Sequence, residues 1–127
     1  DHDDLGLCGP IRKDRAAQTQ YCGMFLTPTL RNTARRGVYF HNGVYHDLHD
    51  VLRFYNLRSS SPELVYPHDS TGHPDINNDI PRRYWANIDT TDAPFDRRPG
   101  QTPAMTDHDI DDIIAFLRTL NDGYRTD

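Results

Sequence analysis

Apolar residues recur at helical spacing in two stretches of this chain. In the first, Leu48, Val51, Leu52 and Tyr55 follow the i, i+3, i+4, i+7 order of one helix face. Asp47 precedes them as an N-cap and Asp50 falls in the first turn, which predicts a helix from about Leu48 to Asn56. A phenol, Tyr55, ends an otherwise apolar stripe and is expected to point toward the core. In the second stretch, Ile110, Ile113, Ile114, Leu117 and Leu120 form one face. Thr106 caps it, Asp109 stands three residues later as the acid of a capping box, and Asp107 also suits a helix start. Arg118 lies in the last turn and Gly123 just beyond.

The remaining pattern is weaker. Residues 1–20 are polar and aperiodic, with a turn signal at Gly9-Pro10. Tyr21 to Leu30 is a short apolar run broken by Pro28, read as a brief strand or an extended segment. Thr33 to Arg36 reads as a helical turn stopped near Gly37, and Asn42-Gly43 as a turn. Ser59-Ser60-Ser61-Pro62 ends the first helix. Residues 58–105 are loop-rich and carry prolines throughout; Pro81 to Asn87 is the one short helix expected there, with proline at its first position. The pattern predicts an all-α, loop-rich chain, taken as one domain over 1–127, in which 58–105 is a long Pro-rich insertion.

Composition narrows the function. The chain has 127 residues and only 35% hydrophobic content, which suits a small core completed by a cofactor or a partner domain. Its net charge of -5 argues against nucleic acid. No apolar run reaches the about 18 residues needed to span a membrane. The opening DHDD fits a processed product or an excised fragment. Cys8 and Cys22 are not a CxxC pair; two cysteines beside glycines fit a disulfide in an oxidising compartment, the alternative being two unrelated buried thiols.

Candidate chemistry concentrates in YFHNGVYHDLHDVLRFY, residues 39–55. Of the seven histidines (His2, His41, His46, His49, His68, His73, His108), His46 and His49 have ligand-like spacing, but His46 precedes the helix cap and the two need not share a face. A solvated or hydrogen-bonded role is expected for each histidine, and exposure for His108. HExxH, Cys/His zinc, P-loop, dinucleotide and G-x-S-x-G patterns do not occur, and DSTGHPDINND lacks the EF-hand order. A CxxCH haem-attachment motif is missing as well.

TPTLRNTARRGVYFHNGVYHDLHDVLRFY nevertheless resembles the C-terminal haem domain of bacterial dihaem cytochrome c peroxidases and MauG-like enzymes, and TDHDIDDIIAFLRTL resembles the final helix of that domain. The opening DLGLCGP and YCGMF resemble one branch, which supports pairing Cys8 with Cys22. The two blocks cover somewhat under half of the chain. The resemblance implies part of a cytochrome c-like haem domain whose covalently attached haem c is bonded outside this chain.

Carried over residue by residue, the resemblance makes Tyr55 the axial ligand of the second haem iron, where typical peroxidases have methionine. Met24, Met105, Tyr45 and His46 are the alternatives. Arg36 and Val38 would offer main-chain carbonyls to calcium, although the family often has threonine and proline there. Arg31 and His41 would lie beside the haem edge. No catalytic residue is assigned within the chain. The long 58–105 insertion departs from the family; in it Tyr84 and Trp85 are weighed as electron-transfer residues against buried packing, the expected role. The implied function is part of a periplasmic dihaem enzyme that uses hydrogen peroxide to oxidise a redox partner or protein substrate, working with the N-terminal haem domain or the remaining chain. A non-catalytic electron-transfer domain and a haem-free interaction module are the competing readings.

Overall fold

The computed structural model describes residues 3–125; His2 lies outside them. The chain is all-α among the described residues: two α-helices, short 3-10 turns and long loops, with isolated backbone bridges in place of strands. It divides into two units, Asp1–Pro28 with Tyr66–Thr90, and Thr29–Val65 with Thr91–Asp127.

The second unit holds both helices. Helix α1 spans Leu48–Leu57, and the Asp47 carboxylate accepts a hydrogen bond from the His49 N–H at 2.7 Å, satisfying an amide the helix itself leaves open. Helix α2 spans Asp107–Thr119. Its capping box is complete: the Thr106 hydroxyl accepts from the Asp109 N–H at 3.2 Å and the Asp109 carboxylate accepts from the Thr106 N–H at 2.8 Å. Leu48 of α1 packs with Ile110, Ile114 and Leu117 of α2 in the core, joined by Ala34, Tyr39, Leu52, Met105, Ile113 and Leu120 at its margin. Full burial of a side chain such as Ile110 stabilises by about 1.5–3 kcal/mol.

Polar links fasten the loop before α2 to α1. Asn56 is buried; its amide N–H donates to the Met105 carbonyl at 2.8 Å and its side-chain oxygen accepts from the Met105 N–H at 2.9 Å. The Gly100 N–H donates to the Ser60 carbonyl at 2.8 Å. Near the C-terminus, Asn32 exchanges hydrogen bonds with Asp122, and its own N–H donates to the Leu120 carbonyl.

The first unit is organised around the bonded pair Cys8 and Cys22, whose Cα atoms are 5.0 Å apart. The Asn87 amide donates to the carbonyls of Thr19 and Cys22 at 2.8 and 3.0 Å, tying residues 66–90 to the N-terminal segment. Gly6 sits at φ +58 with its backbone against Met24, where any Cβ would collide with the Met24 carbonyl.

Of the two readings open for Tyr21–Leu30 the strand does not form: Met24 makes one isolated bridge with Gly6, and Pro28 lies in the irregular stretch that follows. Two expectations change. The helix at Pro81 is a 3-10 turn over Arg82–Asn87 with Pro81 as its N-cap residue. Trp85 is 39% exposed, so it is not a buried packing residue. Its indole N–H donates to the Ile80 carbonyl and the Arg82 guanidinium lies over its ring.

Candidate functional site

The loop Tyr39 to Tyr45 and helix α1 together build an aromatic cluster. Phe40, Tyr45, Phe54, Tyr55 and Phe95 meet at ring-centroid distances of 5.4 to 6.2 Å. The Tyr39 N–H donates to the Tyr45 carbonyl at 2.9 Å and closes the turn, with Gly43 at φ +67 inside it. Phe40 takes a left-handed backbone at φ +64, a costly conformation for a bulky residue. That turn of the backbone carries the Phe40 ring to contact Tyr45, Phe54 and Tyr55 at once.

Tyr55 is half-buried within this cluster and stands apart from the Leu48–Ile110–Ile114–Leu117 core that its position in the stripe suggested. Phe40 approaches its ring edge-to-face at 5.4 Å and Phe95 at 5.6 Å. Among the described residues its hydroxyl has no hydrogen-bond partner. Burial pushes its pKa above the usual phenol value, and the Arg58 charge opposes that rise in part. The Arg58 guanidinium in turn stacks on Phe95 at 3.7 Å.

The other candidate residues are placed as follows. The Arg36 carbonyl accepts from the Tyr39 hydroxyl at 2.8 Å, and no described residue donates to the Val38 carbonyl. Arg31 is exposed, its Nε donating to Asp122 at 2.9 Å. His41 is exposed on the loop. The His46 Nδ1 lies 2.9 Å from the Gly37 carbonyl, and Met105 is held by Asn56 at the core margin. Met24 is in the first unit. His108 is exposed with Nε2 3.6 Å from Asp112. No three His, Cys, Asp or Glu side chains converge in metal-binding geometry among the described residues.

Sequence reasoning missed Phe95, Arg58 and the convergence of His46 with His49. These two histidines line one cavity of about 520 Å³ together with Arg36, Asp111 and Arg118. Cations and carboxylates share its wall, so neither sign of charge prevails.

A haem with a phenolate ligand fits these residues. Tyr55 offers an oxygen with no internal partner, inside an aromatic surround. The Arg97 Nε is a buried donor with no partner in the same segment as Phe95, suited to an anionic group such as a propionate. Both cysteines are consumed by their mutual bond, so neither is available for thioether attachment.

No protein-family model matches the chain. The methylamine utilization protein MauG of Paracoccus denitrificans is 33% identical over 123 residues, which are 96% of this chain and 28% of that protein. Two solved structures superpose on 96% of the chain at 44% identity: the diheme peroxidase BthA of Burkholderia thailandensis, TM-score 0.80, and a tyrosine-to-methionine variant of it, TM-score 0.81. The chain spans 29% and 28% of those two structures.

Proposed function

Because this chain belongs to the MauG-like dihaem peroxidase family and spans a little over a quarter of the length of its matched relatives, we propose that it is the part of a periplasmic dihaem c-type enzyme that supplies Tyr55 as axial ligand to the second haem. The observation that carries this reading is the Tyr55 hydroxyl itself, on a half-buried ring in contact with Phe40, Phe54 and Phe95 and bonded to no described residue. An ordinary packing tyrosine buries its ring and gives its O–H a partner, as Tyr39 does with the carbonyls of Thr33 and Arg36.

The haem supplies the oxidation of a partner by hydrogen peroxide. The chain's own residues set the terms of ligation. A metal ligand must be deprotonated, and burial raises the Tyr55 pKa, so loading the site releases a proton from the Tyr55 Oη. The resulting phenolate is hard and anionic and favours ferric over ferrous iron, where a thioether would do the reverse. Phe40, Phe54 and Phe95 pack against its ring. Arg31 and His41 stand at the haem edge in this reading, with the Arg31 Nε shared with Asp122.

Calcium belongs to the same proposal. The Val38 carbonyl and the second lone pair of the Arg36 carbonyl are the donors this chain would contribute, the rest coming from the N-terminal haem domain and water. Carbonyl donors tolerate the departure from threonine and proline at these positions.

The test is the Tyr55→Phe variant of the full-length, haem-loaded enzyme. The low-spin ferric signal of the second haem is expected to disappear from its electron paramagnetic resonance spectrum. An unchanged signal would sink the ligand assignment.

A further inference from the structure

The segment following Thr90 has a definite relation to α1. Its Phe95 ring meets Tyr55 edge-to-face at 5.6 Å and an interplanar angle of 65°. Phe40 meets the same phenol at 5.4 Å and 69°. Phe95 is itself held, with the Arg58 guanidinium 3.7 Å from its ring centroid. Arg58 is the residue that closes α1, so the clamp on Phe95 is built from the helix that carries Tyr55. Two further ties, Gly100 to Ser60 in the turn after α1 and Met105 to Asn56 of α1 itself, fasten the segment on the C-terminal side of Phe95.

A phenol whose O–H is bonded to a neighbour has its direction fixed by that bond. Tyr55 has none among the described residues, so beyond the χ1 limits set by the helix backbone its ring is restrained by its contacts. Phe40 and Phe95 supply the two closest of those contacts, and Phe40 comes from the same short loop and helix as Tyr55. Phe95 is the one brought from the long Pro-rich segment. It lies outside the buried core, half-exposed, which is a poor place for a residue whose task is stability alone.

We propose that Phe95 is a positioning residue: the 91–105 part of the insertion straps α1 and presents the Phe95 ring so that Tyr55 is held in one rotamer. This deepens the ligand assignment of Tyr55 and rests on it. The insertion then acts on the redox centre through a single ring contact, and the ligand field of the second haem is what it tunes.

The experiment uses the full-length, haem-loaded enzyme and compares Phe95→Leu, Phe95→Tyr and Tyr55→Phe by electron paramagnetic resonance, with Ile114→Val as a control that weakens the core elsewhere. Leucine keeps apolar bulk, so the fold survives while the ring edge is lost. Phe95→Leu is expected to replace the single low-spin signal by two or to shift it, Phe95→Tyr to restore it, and Ile114→Val to lower the melting temperature with the signal intact. A single unshifted signal in Phe95→Leu, beside its loss in Tyr55→Phe, overturns the positioning role and leaves the ligand assignment standing. An unchanged signal in Tyr55→Phe overturns both. A shift in Ile114→Val equal to that in Phe95→Leu also overturns the proposal, since general loosening then accounts for it.

Discussion

Asn56 shows how a single polar side chain organises this unit. It is 5% exposed and forms two hydrogen bonds with the backbone of Met105. Both Met105 groups would be left without partners in Asn56→Ala, and an unsatisfied buried group costs about 1–3 kcal/mol. Asn56→Ala is therefore expected to lower unfolding stability by at least that amount in denaturant titration. Asn56→Asp keeps the acceptor for the Met105 N–H and faces the Met105 carbonyl with a carboxylate, so its loss is expected to be the larger. Equal stability of Asn56→Ala and wild type would mean that the bonds are replaced by water at no cost.

At the scale of elements, the caps were legible in the sequence and the aromatic cluster was not. Asp47 and the Thr106–Asp109 box are local signals, because donor and acceptor lie within one turn. Helical spacing likewise gave the extent of α1 to within a residue, and placed Leu48 and Val51 inside. It misplaced Tyr55, because the ring's partners are Phe95, in a segment without periodicity, and Phe40, whose left-handed backbone no propensity rule expects of phenylalanine. The cavity shared by His46 and His49 was hidden for the same reason: its other wall is α2, remote in sequence.

The capping box also carries a pH dependence. Hydrogen bonds from the Thr106 backbone, then from its hydroxyl, hold the Asp109 pKa below the ordinary carboxylate value. A depressed folded-state pKa gives stability that is present above the unfolded value, about 3.9, and is lost as pH falls through the folded one. Wild type is thus expected to melt above Asp109→Ala at neutral pH, with the gap narrowing once pH falls below the unfolded-state carboxylate value. A gap independent of pH would show that the carboxylate charge contributes nothing.

For the whole molecule, the two units rest on different chemistry. The second has a helix-pair core, and the first has a covalent link with few buried apolar groups, Cys22 being its one deeply buried apolar side chain among the described residues. Closing a loop of this size, with a sequence separation of 14, stabilises by about 3 kcal/mol in the chain-entropy account. Cys8→Ser with Cys22→Ser is expected to remove amide-exchange protection from Leu7 and Met24, whose N–H groups bond within this unit. Protection retained at both amides would show that the loops hold without the link. Across the chain, no helix is long and apolar enough to cross a membrane among the described residues.

The left-handed backbone of Phe40 has a consequence for mutational scanning. Holding a bulky residue there costs on the order of 1–3 kcal/mol, and the ring contacts return a similar amount. Phe40→Gly relieves the first and forfeits the second, so the two changes oppose each other in any assay of abundance or melting. A screen scored on those readouts would rank Phe40 as tolerant. Under the proposed ligation by Tyr55, one scored on the haem spectrum would register the loss of the Phe40 ring, and the divergence between the two scores would mark a side chain retained for what it does to Tyr55 rather than for the fold.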